Sequence, residues 1–347
     1  MRIAIVGAGI GGLTAAAALT RRGIDCVVFE GRRSPEAEET GIQVPPNAAG
    51  ELIGLGVPLR HRVSHRELRR WADGAVLGRT DLTRYATGYF TLPRSALTAA
   101  LRRTVPVRFG RRCVAVRDEP AGVVLAFGDG SADRFDAVVG ADGLHSVLRD
   151  AVAPAAPRHS GLVARRAVLP RSAPDRVTVW LGPGRHCVTY PIAPGRLNLV
   201  VVTPEGPMPS FDGWDPAVRE LIRAAGPMRQ WPLRDLPPLP SWHRGRMVLL
   251  GDAAHPILPF LAQGAAQAVE DAVTLARCAD HPDPFARFEA LRRHRVGRVY
   301  RMSRAGLRVH HLPDGPEQRI RDHALAAAPA GGHDWLYGSP RARLPAP

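Results

Sequence analysis

A chain of 347 residues with 45% hydrophobic side chains can bury one large core or two modest ones, so an ordered protein of two domains is expected. All 47 basic residues are arginine, against 32 acidic ones; the net charge of +15 is scattered and accompanies no nucleic-acid-binding motif, so specific nucleic-acid binding is not expected. The absence of lysine excludes Schiff-base chemistry, and four cysteines set far apart, Cys26, Cys113, Cys187 and Cys278, point to a reduced compartment without a metal site.

The first unit reads RIAIVGAGIGGLTAAAALTRRGIDCVVFEGR. A strand at 2–6 runs into Gly7, Gly9 and Gly12, a helix follows to about 22, and a second strand ends at Glu30. Gly7 permits the tight turn, Gly9 lets the backbone approach a pyrophosphate, and Gly12 lets helix and strand pack closely. The helix N-terminus favours the phosphate charge. Glu30, eighteen residues past Gly12, can accept hydrogen bonds from both ribose hydroxyls and would repel a ribose phosphate, so an unphosphorylated adenine dinucleotide is expected. The apolar run 3–19 has the composition of a signal peptide, but its glycines and the strand behind it mark a first strand and helix of a cytoplasmic protein. No other run reaches membrane-spanning length, so no membrane partner is expected.

Further along, GIQVPPN at 41–47 reads as a rigid extended loop, and 58–90 as a few strands that leave the nucleotide domain. Pro93-Arg94 introduces a helix over 97–101, and strands at 114–127 and 135–140 flank a GDGSADR turn. From about 161 to 240 strands broken by prolines predict a mainly antiparallel second domain, with one short helix in the proline-rich 216–240. The chain returns at Arg246 to a buried strand at 247–250; Pro256 and Pro259 keep the next segment irregular, and Gly264 opens an alanine-rich helix. An arginine-studded helix spans 285–310, and the last dozen residues read as loose. The fold class is therefore α/β, mixed with α+β features: a Rossmann-like dinucleotide-binding domain at 1–57, 91–160 and 246–280 and an interleaved antiparallel sheet domain at 58–90 and 161–245. A C-terminal helical region at 281–335 and a tail at 336–347 complete the division.

Three motifs carry a resemblance that spans nearly the whole chain. GAGIGG at 7–12 ending in Glu30, GADGLHSVLR at 140–149 and GDAAHPILPFLAQGAAQAVEDA at 251–272 resemble the FAD fingerprint, the DG motif and the GD motif of the single-component FAD-dependent aromatic hydroxylases, the para-hydroxybenzoate hydroxylase family. GIQVPPNA at 41–48, HSGLVARRAVLP at 159–170 and HCVTYP at 186–191 are similar to the branch acting on salicylate, 3-hydroxybenzoate and 6-hydroxynicotinate. The resemblance implies FAD as the bound cofactor and NADH or NADPH as a transient co-substrate. It further implies O2 and a small phenolic or heteroaromatic ring as reactants, hydroxyl transfer through a flavin hydroperoxide, no separate reductase, and a monomer or homodimer.

Carried over to this sequence, the family roles place Gly7, Gly9, Gly11, Gly12, Glu30, Arg32, Gln43 and Arg94 around the FAD. Asp252 falls on its ribityl chain, Pro259 beside the reactive face of the isoalloxazine, and Gln263, Gly264, Ala265 and Ala266 at the pyrimidine end. Asp142 falls either near the FAD and the nicotinamide approach or in a structural role that anchors Arg149. His186 and Tyr190, four apart on a strand, point to one side. They are either the base and a positioning or wall residue, or side chains satisfied at a sheet edge; an imidazole can take a phenol's proton at neutral pH. His255 falls at a mostly structural position of the GD loop. Two departures, Arg165 before Arg166 and a short segment between Gly54 and Phe90, touch the expected substrate side, and trimmed loops would suit a larger biosynthetic intermediate. The rival functions are a flavin oxidase or reductase without oxygen insertion and a regulatory flavoprotein.

Overall fold

The computed structural model of the chain describes residues 1–35, 40–103, 105–328 and 332–338. The strand Arg2–Val6 turns at Gly7 into the helix Ile10–Thr20, and the strand Asp25–Glu30 returns parallel to the first. Four consecutive apolar residues, Ile3 to Val6, are buried, as a parallel strand covered on both faces requires. Six strands make up this sheet, in the order His243–Arg244, Met247–Leu249, Ala137–Gly140, Arg2–Val6, Asp25–Glu30 and Val107–Phe109. Only the first pair is antiparallel. The helix Gly264–Arg277 packs on Ile10–Thr20 through small residues: a Cβ on Gly11 would lie 3.1 Å from the Cβ of Ala268.

A second sheet has seven strands, in the order Gln230–Asp235, Arg158–Leu169, Arg196–Pro204, Arg185–Ala193, Arg176–Gly182, His65–Arg70 and Val76–Asp81. Every neighbouring pair is antiparallel except Arg176–Gly182 with His65–Arg70. Its outer face, through Leu169, Trp180, Leu199 and Val201, packs on Phe211, Trp214 and the helix Pro216–Ala225. Its inner face meets the nucleotide-binding half, and there His186, Val188 and Tyr190 alternate with the outward Cys187 and Thr189. A smaller antiparallel sheet, Cys113–Glu119, Gly122–Phe127 and Ala132–Phe135, flanks the parallel one.

Several local readings are corrected. The segment 41–47 is no loop: Gly41–Val44 pairs with Phe90–Pro93, and Pro46 opens the helix Pro46–Gly54 as a first-turn proline. The proline-rich 216–240 contains the strand Gln230–Asp235, which tolerates Pro232 because it is the sheet edge. The strand Arg158–Leu169 runs across the expected boundary at 160. The expected loose tail begins inside the helix Asp334–Tyr337, where Leu336 and Tyr337 are buried and the Tyr337 ring stands edge-on to Tyr85 and Tyr89; 339–347 lie outside the described residues. Among the described residues no helix is long and apolar enough to cross a membrane.

Candidate active site

A groove crosses the carboxyl edge of the parallel sheet, passing Gly9 and Arg94 along its whole length. The four glycines of the GAGIGG turn divide by what surrounds them. Gly7 has φ +106°, and a Cβ there would lie 2.2 Å from the Ala141 carbonyl oxygen. At Gly12 it would lie 2.0 Å from the Gly7 carbonyl oxygen, and at Gly11 2.9 Å from Leu250, whereas at Gly9 it would meet nothing within 4 Å. Packing of the protein itself therefore demands three of them, and Gly9 alone is kept clear for something else. The Glu30 carboxylate is oriented toward the groove wall by the Ala8 N–H at 3.1 Å and the Arg32 N–H at 2.9 Å, with Arg32 itself at the surface beside it. A carboxylate accepts more bonds than these two, which leaves capacity for a ribose. These residues fit an adenine dinucleotide.

The far end of the groove is built by the loop after Met247–Leu249. Asp252, Gly264 and Ala265 line it, while Gln263 and Ala266 turn their side chains into the interior and leave only backbone at the helix N-terminus. That terminus favours negative charge placed against it. Asp252 faces the groove; the surrounding protein pushes its carboxyl above the usual range, opposed by His255, Arg94 and Arg149. The loop is held from behind. Asp271 accepts from the Gly251 N–H at 3.0 Å and pairs with His255 at 2.6 Å and with the Arg292 Nε at 2.7 Å. Burial would raise the Asp271 pKa, but His255 and Arg292 hold it down to about 2. His255, its ring 4.8 Å from that of Trp242 and tilted by 40°, is buried away from both the groove and the solvent and is structural. Glu270 receives Arg292, Arg295 and Asn47, and Gln263 joins the same network through Asn47 and Gln267. The ED pair of QAVEDA is thus the anchor of the loop, a role for which periodicity alone gives no signal.

Among the described residues no direct hydrogen bond joins Asp142 to Arg149; Asp142 acts on it through its charge and through Ser146, whose hydroxyl accepts from the Arg149 N–H at 2.9 Å. The Asp142 carboxylate accepts from the Ser146 hydroxyl at 2.5 Å and the Val147 N–H at 2.8 Å, capping the helix Val147–Val152 beside the groove. Arg149 instead binds the carbonyls of Ala155 and Ala253 at 3.1 Å each, together with those of Leu144 and Asp252, and so ties the middle motif to the GD loop.

On the other side of that loop lies a cavity with about 780 Å³ of empty space, the open solvent at its mouth included. Pro259, Phe260, Leu261 and Ala262 form one wall, with Pro259 exposed to the open space. Ala262 has φ 53°, the only non-glycine positive φ among the described residues, and the loop network holds it there. The inner face of the seven-stranded sheet supplies Arg66, Leu68, Val177, Val179, Leu181, His186 and Val188, and Gln43, Tyr89, Val309, His310 and Leu325 close it. Tyr89 donates to the Gln43 side-chain oxygen at 2.8 Å. The His186 ring is 5.5 Å from that of Phe260 and hydrogen-bonds through Nδ1 to Nε2 of His311 at 2.7 Å. Burial, His310 and His311 keep its pKa well below 6.5, so it is a neutral imidazole at pH 7.

Tyr190 shares the inward face with His186 but lies buried beyond the wall that His186 and Val188 form. Burial pushes its pKa up to about 12 against the nearby Arg166, Gln43 and Asn198, so it remains a phenol. Arg165 is on the opposite face of the sheet from the cavity: it pairs with Val201, and its guanidinium is satisfied by Thr203 and the Gly206 carbonyl. Arg166 takes the inward side, because successive residues of a strand alternate. Arg66, Tyr89, Phe260, His310 and His311 escaped the reading of the sequence; the only trace of the last two was the HH pair closing a long helix.

A dinucleotide groove separated by one rigid loop from a mostly apolar cavity with a neutral histidine defines a flavin-type oxidoreductase. Residues 5–44 match the NAD(P)-binding Rossmann-like domain and 226–278 the FAD binding domain. The chain is 41% identical to 3-amino-4-hydroxybenzoate 2-monooxygenase of Streptomyces platensis, over 97% of this chain and 96% of that one. It is 35% identical to 6-hydroxynicotinate 3-monooxygenase of Pseudomonas fluorescens, over 87% and 90%. The crystal structure of Klebsiella pneumoniae HpxO with FAD and uric acid superposes with a TM-score of 0.88 at 27% identity, covering 97% of each chain. The chain belongs to the single-component FAD-dependent aromatic monooxygenases. It uses FAD with NADH or NADPH and O2 to hydroxylate a small phenolic or heteroaromatic substrate.

Proposed function

We propose that the chain hydroxylates a single-ring phenolic carboxylic acid of the 3-amino-4-hydroxybenzoate kind, with His186 as the base for the ring hydroxyl. The observation that carries this reading is one cavity in which His186, Arg66 and the Pro259–Ala262 loop meet. Arg66 is the cation of that wall; its Nη2 is engaged with Nε2 of His333 at 3.0 Å, and its Nε has no hydrogen-bond partner among the described residues. A carboxylate is the group such a guanidinium binds best. This departs from the larger intermediate that the trimmed loops favoured, since the end of the helix Pro284–Val309 and Leu325 cap the cavity.

FAD would be held by Gly9 and the N-terminus of Ile10–Thr20 at its pyrophosphate, Glu30 at its ribose, and Arg94 and Asp252 at its ribityl chain. Gln43, Pro259 and the backbone of 263–266 would meet its ring. Bound there, FAD would supply the redox chemistry that couples NAD(P)H oxidation to insertion of one atom of O2 into the ring, the other leaving as water. The protein's part is to hold and ionise the ring. Arg66 fixes the carboxylate end; neutral His186 takes the hydroxyl proton, and the resulting phenolate makes the ring carbon electron-rich enough to receive oxygen. Tyr190, still a phenol, supports Gln43 and Asn198 and exchanges no proton. The residues named for groove and cavity all come from one chain, which fits turnover by a monomer or a homodimer without a separate reductase.

Incubating the yellow holoprotein with 3-amino-4-hydroxybenzoate, NAD(P)H and labelled O2 tests this. One labelled oxygen in the product per NAD(P)H consumed is expected; NAD(P)H oxidation that yields only hydrogen peroxide with this and related hydroxybenzoates would overturn the substrate assignment.

A further inference from the structure

The hydrogen bonds around His186 determine which of its nitrogens can act, and they originate outside every motif of the chain. The helix Pro284–Val309 leaves its last carbonyls without intrahelical partners, as any helix does. The Leu307 carbonyl is met by Nδ1 of His311 at 3.0 Å, and a carbonyl brings no proton, so Nδ1 of His311 must carry one. In the neutral ring Nε2 is then bare. Burial holds His311 near a pKa of about 4, which keeps that ring neutral at pH 7.

The bare Nε2 of His311 lies 2.7 Å from Nδ1 of His186. Two bare nitrogens cannot share a hydrogen bond, so Nδ1 of His186 carries the proton, and Nε2 of His186 is the bare nitrogen. Among the described residues nothing pairs with that Nε2, and the ring lines the cavity. The rings are stacked 5.0 Å apart at 30°, and the Gly184 N–H binds the His311 carbonyl at 3.1 Å, which fixes the hairpin of the His186 strand against the His311 backbone. The other groups facing the pair are His310 and Phe260, with Arg66 and Arg321 acting on His310 in turn. None of these residues is an anion that would draw a second proton onto either ring.

We infer that His311 is a positioning residue for the hydroxylation: through the chain from the Leu307 carbonyl to His311 to His186, it sets the His186 tautomer so that Nε2 is presented bare to the substrate hydroxyl. When that hydroxyl gives its proton to Nε2, the O–H bond breaks and an Nε2–H bond forms. His186 becomes a cation whose Nδ1–H already donates to His311, which stabilises it where it forms. The inference rests on the proposal that His186 is the base, and the test separates the two.

The tautomer is read without substrate, from imidazole 15N shifts of 15N-histidine-labelled holoenzyme, with His186→Ala used to assign its signals. A protonated Nδ1 and a bare Nε2 are expected at pH 7.5; the reverse tautomer would overturn the inference whatever the substrate is. Turnover of 3-amino-4-hydroxybenzoate then gives the functional arm. His311→Asn, too short to reach His186, should lower kcat by about 10- to 100-fold, part of the ~10²–10⁴ that a positioned base contributes. His311→Gln, whose side-chain oxygen can accept the same bond, should lose distinctly less, and the FAD spectrum of both should match wild type. In a His186→Ala background His311→Asn should cost nothing further, because it acts through His186. Equal losses for Asn and Gln, or an additive loss in the double variant, would show a merely structural side chain and overturn the inference. If His186→Ala alone leaves hydroxylation intact, the base assignment itself falls.

Discussion

The groove and the cavity lie on opposite sides of one loop, yet they are made in different ways. The dinucleotide end of the groove is local: Gly7 to Glu30 supply its floor and one wall within one strand-helix-strand unit, and Arg94, Ala141 and the loop with Asp252 and Gly264 extend it. The cavity takes Gln43, Arg66, Tyr89, His186, Phe260 and His310 from widely separated elements. A site made of backbone turns tolerates no side chain where the chain crosses itself, while a site made of side chains on separate elements tolerates single changes but depends on how the elements meet.

The sharpest way to break the comparison is within the glycines. Gly12→Val should fail to give soluble folded protein, since its Cβ would fall 2.0 Å from a carbonyl oxygen. Gly9→Val, with nothing of the protein within 4 Å, should fold with wild-type circular dichroism but purify colourless. If Gly9→Val keeps stoichiometric FAD, released by heat and identified by chromatography, Gly9 is not the place where the dinucleotide approaches.

Next in size is His186→Ala, on the cavity side. It should leave FAD content unchanged and cut hydroxylation roughly 10²-fold, the scale of a positioned general base. The loss should shrink as pH rises toward the phenol's own pKa, about 10, where solvent supplies the phenolate, and product formed per NAD(P)H should drop. A pH-independent ratio of mutant to wild type with full coupling would remove His186 from the proton transfer. Arg66→Gln is expected to be milder, raising KM for a carboxylated substrate about tenfold, the ~1.4 kcal/mol of one charge-assisted bond. It should leave KM for the decarboxylated phenol alone, and an equal rise for both would mean that Arg66 serves packing only.

The remaining effect concerns stability in acid rather than the site's chemistry. His310 and His311 titrate near about 3 and about 4 because burial opposes their charge, whereas unfolded histidines take up protons near 6.5. Between those values the unfolded chain binds more protons, so stability should fall as pH falls from about 6.5 toward 4, by on the order of 1 kcal/mol per pH unit for each ring. Above pH 6.5 the two rings should contribute no pH dependence. Thermal melts of wild type and His310→Gln across pH 4.5 to 7.5 check this: the variant should show the shallower decline, and parallel curves would mean that His310 takes up its proton in the native state.

How far the sequence reached follows the same division. Gly7, Gly9, Gly12 and Glu30 were legible because a parallel strand-turn-helix fixes their roles at fixed offsets, and the GD loop because glycine and proline act on the backbone wherever they stand. His186 and Tyr190 were legible as a same-face pair, since a strand alternates, but not that only His186 reaches the cavity wall. Arg165 and Arg166 show the limit: one residue of register sends the first to the outer face and the second inward, and only pairing with Arg196–Pro204 decides which. The strand Gly41–Val44 was hidden because its partner lies far along the chain, at Phe90–Pro93. Local backbone demands, written in glycine, proline and hydrophobic period, thus determined the dinucleotide half of this protein. The substrate half was decided by tertiary structure, because the nitrogen that His186 presents depends on His311, 125 residues away, and no period or spacing encodes a contact made across a fold.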